Sequence, residues 1–396
     1  MSRVHVVVVG AGLGGLAAAV GLNRSGHEVT VCERAGRLRE TGTGILIAPN
    51  GVRALEALGL GAYAHSRVLG SASGGMRDWR GRPLLVADMA EVQEMVGAVA
   101  MVSRPELLQA LRAPLPDGVV HTGMPVDRLE QDDTGVWVTS GGRRSACADL
   151  AVVADGISSV LRPQLFAAHP GLRRTGRLDL RGMLPTPDGL AVGGLLASNL
   201  VDRRTGSEFG LYPVGADRLY WFTDTALRGD PPAPDRARRD VLSLMADWHP
   251  AVPALIEATS PADIYVDAIA CLARPLPSFA VGRVALLGDA AHAMPPDLGQ
   301  GASQAFEDAA ALARHLDGAG PADVLERLRR YDAQRRPPAN RLLGRAQRMS
   351  RLTAQTGARG WLRDVALRAV PSRLAARQAA SAYGMTKRDP QPEPRG

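Results

Sequence analysis

Near its N-terminus the chain carries a run of β-branched valines from Val4 to Val9 that is interrupted only by His5. A run of this kind predicts a strand that is buried on both faces of a parallel sheet. Glycines and an alanine-rich segment follow, and they predict a helix to about Ser25 with Gly26 as its C-terminal cap. A second strand from Glu28 to Cys32 ends in Glu33. The pattern therefore predicts a β-α-β unit at the start of the chain.

Two more buried strands end next to a carboxylate. The strand after Asp149 ends in Asp155-Gly156, and the strand from Val284 to Leu287 ends in Gly288-Asp289. Soon afterwards Gly299-Gln300-Gly301 comes directly before a segment with helical periodicity. In open α/β sheets, ligands lie across the carboxyl ends of the strands. These positions therefore indicate one edge of a sheet as a ligand site.

The composition of the 396 residues is that of an ordinary globular protein, with 45% hydrophobic and 22% charged residues. The net charge of +7 does not indicate a nucleic-acid partner, because the arginines are scattered and Lys387 is the only lysine. The three cysteines are widely spaced, which predicts no metal site and no disulfide framework and is typical of the cytoplasm. Five glycines within the uncharged stretch from Val4 to Leu22 argue against stable membrane insertion.

The first strand-to-helix turn carries the G-x-G-x-x-G pattern of dinucleotide-binding proteins. Gly10 permits the tight turn, Gly12 lets the backbone approach a pyrophosphate, and Gly15 lets the helix pack on the strand. Glu33 can accept hydrogen bonds from ribose hydroxyls of an adenosine. An ordinary glycine-rich β-α-β turn is the alternative. A glutamate at this place favours FAD or NAD over NADP.

Three strands in one nucleotide-binding fold each end next to a carboxylate, and one long ligand such as FAD explains this arrangement. Glu33 would then bind the adenosine, Asp289 the ribityl or pyrophosphate region, and the turn from Gly299 to Ala302 the ring. The amides of that turn would face an acceptor that becomes negative on reduction. A helix cap is the alternative role for Asp289.

Together these motifs resemble the class A flavoprotein monooxygenases, the aromatic hydroxylases with the p-hydroxybenzoate hydroxylase fold. The resemblance covers most of the chain and is carried by Gly10–Gly15 with Glu33, Gly42–Leu60, Ser103–Leu111, Ala154–Arg162 and Gly288–Gly301. The stretch Phe209–Thr225 is similar to the salicylate, 3-hydroxybenzoate and urate hydroxylases and their epoxidase relatives. The cofactor-binding residues predicted from the motifs and the resemblance are Gly10, Gly12, Leu13, Gly14, Gly15, Glu33, Arg34, Arg104, Asp155, Asp289, Pro296, Gly299, Gly301 and Ala302.

The resemblance implies a fold and a domain order. It implies an α/β protein with a Rossmann-like FAD-binding domain of the glutathione reductase type, an inserted and mostly antiparallel substrate domain, and C-terminal helices. The FAD-binding domain would comprise 1–72, 98–170 and 276–345, and the substrate domain a hairpin in 73–97, turning at Gly81-Arg82, plus 171–275. Helices would follow in 346–385, a disordered tail in 386–396, and a helix break at Pro337-Pro338.

The resemblance also implies the chemistry. NADH or NADPH would reduce FAD, O₂ would add at flavin C4a, and the hydroperoxide would hydroxylate or epoxidise an aromatic or conjugated small molecule. No second dinucleotide fingerprint is present, which the resemblance explains because the family binds the nicotinamide only transiently. The protein would be a monomer or a homodimer. Two alternatives are a reductase or redox-neutral cyclase on the same scaffold, and a non-enzymatic FAD-binding protein.

Three side chains are candidates for handling a substrate proton, namely Asp297, Tyr220 and Tyr212. Asp297 lies in the loop that the resemblance places beside the flavin ring. Tyr220 on its strand could equally be a half-buried aromatic residue, and Tyr212, which precedes a proline, is expected to be structural. His292 is expected to pack behind the loop, and Arg162 is expected to pair with a carboxylate.

Overall fold

The structure is a computed structural model that describes residues 3–38, 42–70, 73–145, 147–371, 374–377 and 380. The predicted disordered tail, 386–396, lies outside the described residues. The strands are β1 (His5–Val9), β2 (Glu28–Glu33), β3 (Gly44–Ile47), β4 (Ser73–Asp78), β5 (Pro83–Asp88), β6 (Ala100–Ser103), β7 (Val120–Thr122), β8 (Val126–Gln131), β9 (Val136–Ser140), β10 (Arg143–Arg144), β11 (Leu150–Val153), β12 (Leu172–Pro185), β13 (Ser198–Asp202), β14 (Ser207–Val214), β15 (Arg218–Ala226), β16 (Ile264–Leu272), β17 (Ala280–Val281) and β18 (Val284–Leu286).

The α-helices lie between and after these strands. They are α1 (Leu13–Arg24), α2 (Pro49–Ala57), α3 (Gly61–His65), α4 (Met89–Val96), α5 (Arg104–Arg112), α6 (Arg162–Leu165), α7 (Pro234–Leu244), α8 (Ala251–Ala258), α9 (Asp289–His292), α10 (Gly301–Leu316), α11 (Val324–Thr353) and α12 (Gly357–Arg368).

A largely parallel sheet forms the first half of the fold, with the strand order β17-β18-β11-β1-β2-β7. Strand β1 pairs in parallel with β2 on one side and with β11 on the other, and β11 pairs in parallel with β18. The β-branched residues Val6 and Val8 of β1 are completely buried. Helices α1 and α10 pack against each other in the same core. The Rossmann-like half of the predicted fold is confirmed.

The second large sheet has the strand order β16-β12-β15-β14-β13-β4-β5. Its pairs are antiparallel, apart from the parallel pair of β13 and β4. One face is apolar, and Phe209, Leu211 and Trp221 pack there with Val241 of α7 and Leu255 of α8. The alternate positions on the other face are largely polar. This inserted sheet is also as predicted, while the domain boundaries remain predictions.

A two-stranded ribbon of β3 and β6 lies between the two large sheets. Leu46 of β3 and Met101 of β6 share a hydrophobic cluster with Tyr212 and Tyr220 of the second sheet. A Cβ atom on Gly44 would lie only 2.6 Å from Cγ of Tyr220, so the ribbon and that sheet are in close contact.

The predicted helix break at Pro337-Pro338 is wrong, because α11 runs through both prolines. Each proline removes a backbone hydrogen bond from a helix interior and costs about 3 kcal/mol. The helix continues because the residues beyond the prolines are buried against the rest of the protein, among them Leu342, Leu343 and Ala346. Burying one such leucine contributes about 2 kcal/mol, so tertiary packing outweighs the local breaker. No helix among the described residues is long and apolar enough to cross a membrane.

The packing at Gly15 yields a stability prediction. A Cβ atom at Gly15 would lie 1.9 Å from the carbonyl oxygen of Gly10, and a backbone atom cannot rotate away. Helix α1 would have to move off β1, so we expect Gly15→Ala to lower the free energy of unfolding by about 3 kcal/mol. Urea unfolding of the protein freed of bound ligand, followed by circular dichroism, measures this change.

Gly12→Ala is the matched control for this measurement. No atom of the described residues lies within 4 Å of a Cβ built on Gly12, so the same substitution there should leave the free energy of unfolding almost unchanged. Equal stability of the two variants would show that the contact between α1 and β1 is not as close as described.

Candidate functional site

Four neighbouring strands of the parallel sheet end at one edge, and a candidate ligand residue follows or ends each of them. Glu33 ends β2, Gly10 follows β1, Asp155 follows β11, and Asp289 follows β18. The register aligns these ends, because Val9 is the partner of both Cys32 and Val153 while Val153 is the partner of Leu286. Neighbouring strands are about 4.8 Å apart, so the ends form a groove edge about 14 Å long.

The tight turn at Gly10 and the close packing at Gly15 are as the sequence predicts, while the contact of Gly12 with a pyrophosphate remains a prediction. Gly10 has a φ of +104°, and a Cβ there would lie 2.4 Å from the carbonyl oxygen of Ala154. Gly15 packs on the Gly10 carbonyl, and a Cβ on Gly14 would meet the Leu287 side chain at 2.8 Å. Only Gly12 faces open space. The backbone of that turn can therefore be approached closely by a ligand.

Glu33 lies directly beside this turn. Its Oε2 accepts a hydrogen bond from the amide of Ala11 at 2.8 Å, and its Oε1 accepts one from the amide of Ala35 at 2.9 Å. Each carboxylate oxygen has a second lone pair, so both can still accept from a ribose hydroxyl. The neighbouring Arg34 is exposed.

Asp289 and the start of α10 border the same space. The Asp289 side chain is open to the groove, yet the protein packed around the groove raises its pKa by desolvation, while His292, Arg104 and Arg162 oppose the rise. Its Oδ1 lies 3.9 Å from the place that a Cβ on Gly301 would occupy. A carboxylate is thus set beside a helix N-terminus that no side chain caps.

Two uncapped helix N-termini face this groove, at Gly12 for α1 and at Gln300 for α10. The first N–H groups of a helix have no partner within it and carry partial positive charge, so they suit a pyrophosphate or a ring acceptor.

The other predicted cofactor-binding residues lie around these two helix N-termini. Leu13 starts α1, Ala302 is in the first turn of α10, Gly299 has a left-handed φ of +58°, and Pro296 is exposed at the loop surface.

These residues fit FAD. The open space at Gly12 accommodates a pyrophosphate, Glu33 offers free lone pairs for a ribose, and Asp289 beside Gly301 can hold the ribityl hydroxyls next to the amides of α10. The roles of the individual residues remain predictions, but the structure brings them to one groove.

Two predicted residues serve the backbone of the neighbouring loop. Asp155 Oδ2 accepts hydrogen bonds from the amides of Val160 at 2.9 Å and Leu161 at 3.3 Å, just before α6. The expectation of a carboxylate partner for Arg162 is wrong. Its guanidinium donates to the carbonyl oxygens of Asp289, Ala290 and Ile157 at 3.3, 3.2 and 2.8 Å. Among the described residues no carboxylate forms an ion pair with this buried arginine, and the charges of Asp155 and Asp289 act on it only from a longer distance.

A buried network that the sequence did not reveal supports this turn. Asp308 of α10 is completely buried and accepts hydrogen bonds from the Gly288 amide at 3.0 Å, from His292 Nε2 at 2.6 Å and from Arg335 Nε at 2.7 Å. Burial disfavours the charged carboxylate, but His292 and Arg335 together lower the pKa of Asp308 below its usual range. Asp308 therefore ties the turn at Gly288 to α10, whose N-terminus borders the groove.

The three candidates for proton handling lie on different elements. Tyr212 donates a hydrogen bond to Asn199 Oδ1 at 2.7 Å. Burial raises the pKa of Tyr220 well above its usual value, so this phenol keeps its proton and cannot act as a base. Asp297 accepts a hydrogen bond from Thr353 Oγ1 at 3.0 Å, and burial raises its pKa.

A row of carboxyl groups crosses the polar face of the second sheet, and sequence reasoning missed it. Asp179 on β12 pairs with Asp267 on β16 and with Asp224 on β15, and Asp224 pairs with Glu208 on β14. Paired residues on neighbouring strands point to the same face. The polar alternation along each strand hinted at this face, but only the register between strands shows that the acids adjoin.

Burial raises the pKa of three members of this row. The pKa of Asp179 rises to about 7, with Arg181 opposing, and that of Asp224 to about 6, with Arg177 opposing. The pKa of Glu208 rises to about 8, first through burial and then through the nearby negative charges of Asp297 and Asp224. Since Asp297 belongs to the loop before Gly299, the row lies next to the predicted ring site.

Comparison with known proteins agrees with this geometry. A family model described as an FAD binding domain matches residues 3–346. The chain belongs to this family. An FAD-dependent urate hydroxylase from Klebsiella pneumoniae is 35% identical over 334 residues, which are 83% of this chain and 85% of the relative. The Aurachin C monooxygenase/isomerase of Stigmatella aurantiaca is 32% identical over 93% of this chain and 94% of its own.

A solved structure shows the same architecture with the cofactor bound. The crystal structure of Klebsiella pneumoniae HpxO with FAD and uric acid superposes with a TM-score of 0.87 at 30% identity, covering 97% of both chains. The protein is therefore an FAD-dependent monooxygenase of the aromatic monooxygenase family, and its cofactor is FAD.

Asp289→Ala tests the predicted ribityl contact. The side chain faces the groove and does not pack in the core, and the surrounding protein raises its pKa by desolvation, so the variant should fold as well as the wild type. Loss of one or two hydrogen bonds to a charged group should weaken FAD binding about 10- to 100-fold. The flavin-to-protein absorbance ratio after purification, and titration of the apoprotein with FAD, measure the effect. Asp240→Ala, at an exposed site on α7, is the control and should keep full FAD occupancy. Full FAD occupancy of Asp289→Ala would contradict the predicted contact between Asp289 and the ribityl chain.

Glu208 should make stability dependent on pH. Its pKa is raised in the folded state, so the fold binds that proton more tightly than the unfolded chain does, and this stabilisation is lost as pH rises toward about 8. We expect the free energy of unfolding to fall between pH 5 and 8, with Glu208 contributing up to about 1.4 kcal/mol per pH unit. Chemical unfolding at a series of pH values should show a flatter profile for Glu208→Gln, whereas Glu257→Gln, exposed on α8, should keep the wild-type profile. Equal slopes for Glu208→Gln and wild type would refute the contribution.

Proposed function

We propose that the protein uses NADH or NADPH and O₂ to hydroxylate or epoxidise an aromatic or conjugated small molecule. The supporting observation is the position of the second sheet. Its aromatic and polar face meets the β3–β6 ribbon through Tyr212 and Tyr220, and a Cβ on Gly299 would lie 3.2 Å from Leu46 of the same ribbon. A substrate bound against this face would therefore lie beside the start of α10.

Bound FAD supplies the redox chemistry, taking a hydride from the nicotinamide and activating O₂ for transfer of one oxygen atom. The protein has to keep water away from that reaction, because otherwise reducing equivalents are lost as H₂O₂. Leu46, Met101 and Met183 provide apolar surface in the hydrophobic cluster next to the aromatic side chains, which suits this role.

Removal of a phenolic proton makes a ring carbon more nucleophilic and requires a base. We assign this role to Asp297. One of its oxygens, Oδ1, is held by Thr353, and its buried Oδ2 has no hydrogen-bond partner among the described residues. A raised pKa brings this carboxylate closer to the pKa of a phenol and makes it a stronger base. Tyr220 keeps its proton and can orient a substrate as a donor.

The nicotinamide has no binding domain of its own in this proposal. The described residues contain a single parallel sheet of the dinucleotide-binding type, and its glycine turn is assigned to FAD. The reductant would bind transiently at the groove. A homodimer and a monomer are both compatible with this arrangement.

The proposal is tested with the FAD-loaded protein, NADH and NADPH, and a panel of aromatic and heteroaromatic compounds under ¹⁸O₂. We expect at least one compound to stimulate oxidation of one nucleotide about tenfold or more and to gain one ¹⁸O atom, because substrate binding beside the flavin is coupled to its reduction. Mass spectrometry of the product measures the label. Flavin reduction without label in any product would favour the reductase or redox-neutral cyclase, and flavin that neither nucleotide reduces would favour a non-enzymatic FAD-binding protein.

A further inference from the structure

We propose that the substrate is an aromatic amine or an N–H heteroaromatic compound without a carboxylate, and that Glu208 selects it. This inference rests on the proposed function, because it names the substrate class of the same site. It is drawn from the polar face of the second sheet, and in particular from one buried carboxyl group that lacks a full set of hydrogen-bond donors.

Glu208 is 7% exposed and lies on the same face of the sheet as Tyr212 and Phe222. Its Oε1 accepts a hydrogen bond from Asn199 Nδ2 at 2.6 Å. None of the described residues has a recorded hydrogen bond to its Oε2. Oε2 retains solvent access, so an N–H group of a ligand can reach it and donate a hydrogen bond to it.

Asn199 holds Glu208 in one orientation. The hydroxyl of Tyr212 donates to Asn199 Oδ1 at 2.7 Å, which fixes the amide so that its Nδ2 donates to Glu208. This chain of hydrogen bonds runs from the hydroxyl of Tyr212 through the amide of Asn199 to the carboxyl group of Glu208. It positions Glu208 without satisfying Oε2, and it leaves a flat aromatic wall beside the acceptor.

The charges around Glu208 disfavour a carboxylate ligand. Five carboxyl groups, of Asp179, Asp224, Asp267, Glu208 and Asp297, lie on this face or in the adjoining loop against two guanidinium groups, of Arg177 and Arg181. A ligand carboxylate would have to keep the buried members protonated, whereas an N–H donor would not.

Both of these arginines are already paired. Arg177 Nε donates to Asp224 at 2.6 Å, while Arg181 lies 3.0 Å from Asp179 and also contacts Asp267. A substrate carboxylate would have to compete with these carboxyl groups for both guanidinium groups. Like charges brought together at a buried site cost several kcal/mol, so an anionic ligand would be excluded while an amine or a neutral N–H compound would be attracted.

The protonation of Glu208 should also change when such a ligand binds. Burial and the neighbouring negative charges raise its pKa to about 8. A bound N–H donor, or an ammonium group, favours the ionised carboxylate and so reverses this rise. Binding of an amine is therefore coupled to loss of a proton from Glu208, whereas binding of a benzoate would require that proton to stay.

Matched ligand pairs on the oxidised, FAD-loaded protein test the inference without turnover. Each pair shares one ring and differs only in an amino group or a carboxylate, such as 2-aminophenol and 2-hydroxybenzoate, or an amino- and a carboxyquinoline. Perturbation of the flavin absorbance reports binding. We expect the wild type to bind the amine of at least one pair about tenfold or more tightly than the carboxylate.

Glu208→Gln should reduce this preference about tenfold, and Tyr212→Phe should reduce it in the same direction by loosening Asn199. Glu257→Gln should leave it unchanged. The flavin absorbance of each variant verifies that it is folded and loaded, and variants that lose FAD are replaced by Glu208→Asp, which should keep the preference for the amine.

Three results would overturn the inference: tighter binding of the carboxylates by the wild type, no binding of an amine from any pair, or an unchanged preference in Glu208→Gln. Selective amine binding without any ¹⁸O-labelled product would overturn the proposed function alone.

Discussion

The parallel pairing of β18, β11, β1 and β2 is the constraint on which the rest of this structure depends. Hydrogen bonds along these strands fix their register, and the register brings Glu33, Gly10, Asp155 and Asp289 to one edge. The side chains of these strands are packed on both faces, so a one-residue shift would break close packing on each face and the edge is held in place. Residues more than 250 positions apart in the chain can therefore bind one molecule.

The rigidity of that edge is passed on to α10 through Asp308. A single buried carboxylate receives hydrogen bonds from the turn after β18, from His292 and from α11. These three hydrogen bonds to a buried carboxylate hold the turn at Gly288 against α10. A ligand that spans both would bind without the cost of ordering them.

Short local motifs could be predicted from the sequence, whereas contacts that depend on the register between strands could not. The first β-α-β unit, the tight turn at Gly10, the close packing at Gly15 and the strands that end next to a carboxylate could be predicted, because each is a short pattern with its own geometry. The row from Asp267 to Glu208 could not, because it comes from strands whose alignment is set by tertiary packing. The tandem prolines were misread for the same reason, since burial along α11 outweighs a local preference.

One face of the second sheet stabilises the fold, and the other face carries polar groups next to the proposed substrate site. The face with Phe209, Leu211 and Trp221 buries large apolar side chains and drives folding. The opposite face of the same strands carries Glu208, Asp224 and Asp179, whose raised pKa values reflect the cost of burying a charged carboxylate. Apolar residues at these positions would often stabilise a protein, so this cost is tolerable only because the first face supplies the packing. Alternation along a strand thus lets one sheet carry both a core and an unsatisfied polar surface next to a cofactor.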